Sequence, residues 1–441
     1  MSDRPGAGTR RGRRVRHIPA ILVGKAARAA TRLRGGGSAF PGYLANRMAP
    51  GLLASLADQF RDGVVFVLGS NGKTTTTHML SEVLRAHDLL VFTNPTGANL
   101  PQGVTSALLA DATLSGRVRA DAAVLEVDEG YASDLADVLA PRVLVALNVQ
   151  VDQLYRFYET ERVADMMIEA ASRASGQVVL AADDPYLSKA DPSRFAAPVA
   201  FFGVSPGVLA ASAHGLANAP DTRSGDPGAR RHRPQAEVVR VSGQDVVVRV
   251  GDREVEVRLP APGLHYAVDA AAALCAAAHV LGDRFEPGLA SRGFRSMAPA
   301  YGRGELVPLR KDRQGEQVEF VMFKNGPSLQ LNLDALQEPP SRVLMAIDEG
   351  TPDISWFYDV DLSALDHVDV VTGDKAHQIA TRLAYAGVPV GVVEPDLERA
   401  VTLMRALAPS PAGKQTWLVN YEIMMTGRRL LGFGDQEVAR R

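Results

Sequence analysis

The sequence predicts an α/β protein: a central domain built on a parallel sheet with a glycine-rich loop at one strand end, then a smaller α/β domain. Three observations predict it. From residue 61 onward, continuous apolar runs alternate with helix-length segments, the pattern of strands buried on both faces by helices. One run, 64–68, leads directly into Gly69-Ser70-Asn71-Gly72-Lys73-Thr74-Thr75. The alternation is interrupted after residue 205 and restarts beyond 305. At roughly 150 residues per domain, 441 residues make about three domains, or two with embellishments.

The elements follow in order. Residues 1–17 carry Arg4, Arg10, Arg11, Arg13, Arg14 and Arg16 against Asp3 alone, among Gly and Ser, and are expected to form a disordered basic tail. Residues 18–60 form a helical segment. In its first helix Ile18, Ile21, Leu22, Ala26 and Ala29 fall on one face and Lys25, Arg28, Arg32 and Arg34 elsewhere, which favours a solvated helix packed on the next domain over contact with anionic lipid. The central domain spans 61–304, with apolar strands at 64–68, 89–93, 121–127, 142–148 and 177–182. Its Gly-, Pro- and Arg-rich, Cys-free stretch 205–234 is a surface insertion. Alternating strands (EVVRV, DVVVRV, EVEVRL) then suggest a small antiparallel element, and an Ala-rich helix covers 264–281. The C-terminal domain, 305–441, carries strands near 342–347, 367–372, 388–393 and 416–419.

Composition excludes several classes. With 48 Lys and Arg against 50 Asp and Glu, the net charge of −2 offers no global field for nucleic acid. A hydrophobic share of 46% with 22% charged residues fits a folded globular chain. The single cysteine, Cys275, allows no internal disulfide and no multi-cysteine metal site, so no zinc is expected and a reducing compartment, the cytoplasm, is the default. No apolar run approaches the roughly 20 residues of a membrane helix, and no signal peptide is recognised.

The loop after the first strand carries the strongest chemistry. Backbone N–H groups of Gly69 to Thr75 and a helix N-terminus can wrap phosphate, Lys73 can neutralise it, and the Thr74 hydroxyl can meet Mg²⁺. Val67 stands where the longer motif has glycine, but the shorter spacing keeps the mechanics. ATP or GTP is therefore expected here. Glu126, ending the third strand, is the candidate Mg²⁺ carboxylate; Asp128 and Glu129 equally suit a helix N-terminus. The fourth strand ends in Asn148, and Asp152 and Gln153 follow close to the same edge. Cys275 and His279 share a helical face, but an apolar helix keeps such a thiol protonated and packed, so no glutamine-hydrolysing site is expected here. The histidines at 17, 78, 87, 214, 232, 367 and 377 show no metal-ligand spacing.

In order, GSNGKTT, TNPTGAN, LEVDEG, LNVQVDQLYRF, AADDP, PGLHYAVDAAAA and YGRGE resemble the Mur ligases. The motifs MFKNG, DISWFYDVD, VTGDKAHQIATRL and VNYE are similar to the C-terminal domain of the MurT-type branch, ligase subunits that work with a GatD-type glutaminase. The resemblance covers about residues 18–425 and implies a Mur-ligase-type central domain with a MurT-type C-terminal domain. It also implies ATP- and Mg²⁺-dependent amidation of the D-glutamate α-carboxylate of lipid II through an acyl phosphate, with ammonia from the partner, at the inner face of the membrane. It gives Arg303 a place on the transferring phosphoryl group, Asp183 and Asp184 a place near the nucleotide, and Asp353 the role of an acid lent to the partner's Cys–His pair; Arg303 also suits an exposed place in a glycine-flanked linker, Asp183 and Asp184 a cap on the turn before Pro185, and Asp353 its own turn ahead of Trp356. Departures exist. Gln153 replaces a family His, no lysine stands between Asp152 and Ala182, and no zinc ribbon occupies 205–234. The adenine segment is His265-Tyr266-Ala267-Val268-Asp269, and the stretch 324–328 is altered. A stand-alone amino-acid ligase of folylpolyglutamate type, or a nucleotide-binding scaffold for a glutaminase, are the alternatives.

Overall fold

The computed structural model describes residues 7–33, 39–94, 100–152, 159–220, 232–297, 303–310, 315–351 and 353–434. Two sheets carry it. The first has the strand order β2-β3-β1-β4-β5-β6-β7-β8-β9: β1 (Gly63–Leu68), β2 (Val91–Thr93), β3 (Ala122–Glu126), β4 (Val143–Ala146), β5 (Gln177–Ala181), β6 (Val199–Val204), β7 (Ala236–Ser242), β8 (Asp245–Val250) and β9 (Arg253–Arg258). β1 is flanked by β3 and β4, both parallel to it, so the chain reverses its order of strand addition beside β1 and opens a crevice at the carboxyl ends. The run Val64–Leu68 is fully buried because helices cover both faces. The antiparallel strands β7 to β9 are not a separate element: β6 pairs with β7 in parallel and extends the same sheet.

Helix α4 (Lys73–Ala86) leaves the loop after β1 and packs on the Ala-rich helix Leu264–Leu281, whose small side chains permit close approach. That helix is long and apolar enough to cross a membrane by composition, a candidate the apolar-run criterion did not register, yet most of it is buried in the core. Cys275 lies in its buried part, and loss of solvent pushes its thiol up to about 12. His279 instead meets Gln235 Oε1 at 3.0 Å, and burial lowers its pKa.

The second sheet, order β10-β11-β15-β12-β13-β14, consists of β10 (Arg303–Pro308), β11 (Gln317–Met322), β12 (Val343–Ala346), β13 (Val368–Thr372), β14 (Val390–Val393) and β15 (Lys414–Val419). It is parallel except for β10 on β11. Its cores hold Trp417, Phe320 and Phe357, and a buried Arg428 pairs with Glu305 of the GRGE segment. Gly304 has φ +77°, and a Cβ there would approach Ala261 Cβ to 2.8 Å, so the link between the sheets runs tight against the central domain.

Three helices precede the first sheet: α1 (Ala7–Leu33), α2 (Phe40–Met48) and α3 (Leu52–Ala57). Two expectations change here. α1 begins inside the stretch 1–17 expected to be a disordered tail; only 1–6 of it lie outside the described residues. The predicted single apolar face is also split: Ile21 is buried, whereas Leu22, Ala26 and Ala29 face solvent. In 205–234 a short helix (Pro206–Ala210) forms, and 221–231 lie outside the described residues.

Candidate functional site

The loop Gly69–Gly72 is fixed by side chains from several strand ends. Asn148 takes the Asn71 backbone from both sides, accepting its N–H at 3.0 Å and donating to its C=O at 3.1 Å. Ser70 Oγ donates to Gln150 O and accepts from Gln150 N. Gly72, φ +84°, has no room for a side chain, since a Cβ would lie 2.3 Å from Asp269 Oδ1. Only glycine meets both demands.

Lys73, the first residue of α4, donates to Gly69 O and to Glu129 Oε1 at 2.7 Å. Burial works to lower its pKa, but Glu129, with Glu126 and Asp152 nearby, outweighs it and holds the ammonium above the ordinary lysine range. It stands ready as a cation. Thr74 Oγ1 donates to Glu126 Oε2 at 2.6 Å, because the β1–β3 register sets Glu126 opposite Val67. Asn94 brackets Glu126 in turn: its Oδ1 accepts from the Glu126 N–H and its Nδ2 donates to the Glu126 C=O. A hydroxyl and a carboxylate in contact are hard oxygen donors of the kind Mg²⁺ takes together with phosphate oxygens. Among the described residues no group of three or more His, Cys, Asp or Glu is placed to hold a metal.

These groups open into a cleft of about 240 Å³ lined by Ser70 to Thr75, Glu126 and Asn148. Its far wall holds Asp183, Asn218 and the rings of His265 and Tyr266, tilted 41° to each other with centroids 4.1 Å apart. Asp183 and Asp184 part company: Asp183 lines the cleft, while Asp184 is wholly buried and accepts the N–H groups of Val149, Tyr186 and Leu187. The carboxylate facing the cleft is therefore Asp183, and Asp184 holds the β4 and β5 loops together. The C-terminal domain closes the cleft with Met322, Lys324 and Ser328. Several polar links cross between the domains, among them His214 Nδ1 to Asp334 Oδ1 at 2.8 Å. Lys324 Nζ meets Asp152 Oδ2, and Asn71 Nδ2 donates to Asn325 Oδ1 at 3.0 Å. Asn325 also caps the helix Gly326–Asp334 with Ser328.

A second cavity, about 580 Å³, shares Met322 and Lys324 with the cleft and extends to Asp353, Trp356 and Asn420. Asp353 is exposed. Its Oδ1 accepts from Ser355 N at 2.8 Å, and its C=O accepts from Trp356 Nε1, so it does shape its own turn. The backbone of Arg303 opens β10 at the junction of the two sheets; its side chain, Gln153, and residues 95–99 lie outside the described residues.

Sequence reasoning missed Asn94, Gln150, Asn218 and Asn325, and treated Glu129 as a helix-terminal acid. Asp128 does cap its turn, accepting from Gly130 N, whereas Glu129 turns to Lys73.

The fold and its two domains are shared with known proteins. The Mur ligase middle domain matches residues 67–277 and the MurT ligase C-terminal domain residues 322–424. The lipid II isoglutaminyl synthase (glutamine-hydrolyzing) subunit MurT of Staphylococcus aureus (strain COL) is 25% identical, covering 88% of this chain and 92% of its own. Among solved structures, MurF from Acinetobacter baumannii superposes with TM-score 0.66 at 19% identity, over 88% of this chain and 80% of that one. MurF from Thermotoga maritima in complex with ADP gives 0.62 at 18%, over 89% and 85%. Fold and cleft thus define a ligase of the Mur type. By its two domains, in this order, the chain belongs to the MurT branch of the Mur ligase superfamily.

Proposed function

We propose that the chain is the ligase half of a two-subunit lipid II amidating enzyme, using ATP to activate the D-glutamate α-carboxylate and ammonia released by a GatD-type glutaminase. A carboxylate at neutral pH does not react with ammonia, so the carboxylate oxygen first takes the terminal phosphoryl group of ATP, giving ADP and an acyl phosphate. The ammonia nitrogen then attacks the carbonyl carbon, phosphate leaves with the C–O bonding pair, and a proton is lost to give the amide. Residues Gly69 to Thr75 would bind the nucleotide. Lys73 would hold positive charge at the transferring phosphoryl group, and Arg303, from the domain junction, would add a second cation. Thr74 and Glu126 would hold Mg²⁺, which supplies charge neutralisation on the phosphates. Asn148 would act by fixing the loop and Asp184 by fixing its surroundings.

The observation that carries this reading is the adjacency of the two cavities. The smaller holds the phosphate machinery, and the larger runs from Lys324 to the exposed Asp353. A small nucleophile made outside the chain would have a way in. Asp353 is proposed to orient the partner's catalytic imidazole, as a third acidic member does in such sites. The division into residues 61–304, which activate, and 305–441, which receive, belongs to this proposal, as does action in the cytoplasm on a substrate presented at the membrane's inner face. Purified chain and GatD-type partner, given ATP, Mg²⁺, glutamine and lipid II, should convert the D-glutamate carboxyl to the carboxamide by mass spectrometry. Amidation without the glutaminase in glutamine alone, or incorporation of a whole amino acid, would point instead to a stand-alone ligase.

A further inference from the structure

The outer face of the N-terminal helices has no place in the amidation chemistry. α1 crosses α2 closely at Gly24, where a Cβ would come within 3.2 Å of Ala45 Cβ, so the outward faces of the two helices lie side by side. On α1 that face is apolar: Pro19, Leu22, Ala26, Ala29 and Ala30 are exposed. On α2 the exposed stripe is Phe40, Tyr43 and Arg47, with Met48 at its end. Leu22, Phe40, Tyr43 and Met48 leave 45%, 53%, 55% and 49% of their surface in water. Four large apolar side chains exposed within 27 residues of sequence are more than the scattered singles of an ordinary surface.

Charge is distributed with the same bias. The first 48 residues contain eleven Lys and Arg and one acid, Asp3, whereas the whole chain has net charge −2. The remaining 393 residues therefore carry a net charge of −12. An apolar, aromatic-tipped face set in a strongly cationic segment, on an otherwise acidic molecule, matches a surface that is anionic above and hydrocarbon below. A protein partner for the apolar stripe would not require the cations.

We infer that the α1–α2 face docks the protein on an anionic phospholipid surface, with Leu22, Phe40 and Tyr43 entering the headgroup layer and the exposed Arg16 and Arg47 held by lipid phosphates. This rests on exposure and charge alone and does not depend on the amidation reading.

Flotation of the full chain with vesicles of phosphatidylglycerol and phosphatidylcholine, compared with phosphatidylcholine alone, tests it without lipid II. Binding is expected to the anionic vesicles only and to weaken as salt rises. Tyr43→Glu and Leu22→Glu should each lower it by about tenfold, and Arg47→Gln by about fivefold. Unchanged Tm and ATP binding in the same variants show that the fold is kept, and Arg47→Gln carries the test should a glutamate variant lose it. Equal binding to neutral vesicles overturns the inference, as does anionic binding that survives the substitutions. Loss of partner co-elution in the same variants, with vesicle binding intact, assigns the face to protein instead.

Discussion

The Gly69–Gly72 loop and the Asp353 turn are both acid-lined corners of one chain, and they are built in opposite ways. Around Gly69–Gly72 each polar group has a partner from a distant segment: Asn148 on Asn71, Gln150 on Ser70, Glu129 on Lys73, Asn325 across the domain boundary. Among the described residues the Asp353 carboxylate takes the N–H of its neighbour Ser355, and it faces outward. The first arrangement is preorganised and costs little rearrangement at the moment of reaction. The second leaves an acid to be completed by something else. A site finished within the chain and one presented from it are what a divided enzyme requires.

The largest effect that would sharpen this contrast lies in the loop. Lys73→Ala should lower ATP-dependent amidation by about a hundredfold or more, because the charge it removes acts on the transferring phosphoryl group, while partner binding stays intact. Turnover within twofold of the parent would break the assignment. Next comes Asn148→Ala, which frees both sides of Asn71; KM for ATP should rise about tenfold with a smaller change in kcat, since the loss is of positioning. Glu126→Ala should act mainly by raising the Mg²⁺ requirement, and superimposable Mg²⁺ titrations of variant and parent would make Glu126 structural.

A smaller effect concerns the core behind the loop. The folded state keeps the Cys275 thiol protonated up to about pH 12, whereas the unfolded chain releases that proton near its ordinary value of 9.0. The unfolded state therefore binds fewer protons between those values, and this contribution to stability is full below pH 9 and lost as pH rises towards 12. Cys275→Ala should flatten that part of the stability profile. The native thiol should resist alkylation at pH 8.5 and react once denatured; rapid native labelling would contradict its burial.

How much of this could be seen in the sequence depends on how local each signal is. The GSNGKTT loop and the strand before it are contiguous, so hydrophobic pattern and motif find them together. Glu126 was legible because strand ends collect at one edge. Asn94 and Asn325 were not, because their roles arise from bonds to Glu126 and Asn71 that only the tertiary fold creates. Asp183 and Asp184 are adjacent and chemically identical, and only the packing at Val149 decides which is buried. The outward face of α1 escaped for a related reason: a helical pattern shows where apolar residues cluster, but the contact at Gly24 decides which part of the cluster turns inward.

The division of labour is tested most directly by Asp353→Asn in the assembled complex, with amidation followed from two nitrogen sources. The account predicts that glutamine-dependent amidation and glutamine hydrolysis both fall by about a hundredfold or more, as expected when the acid orienting a catalytic imidazole is lost, while amidation driven by free ammonium stays within about twofold of the parent. Equal loss with both sources, in a complex that still assembles, would place Asp353 in the ligase site or in the fold and contradict the account.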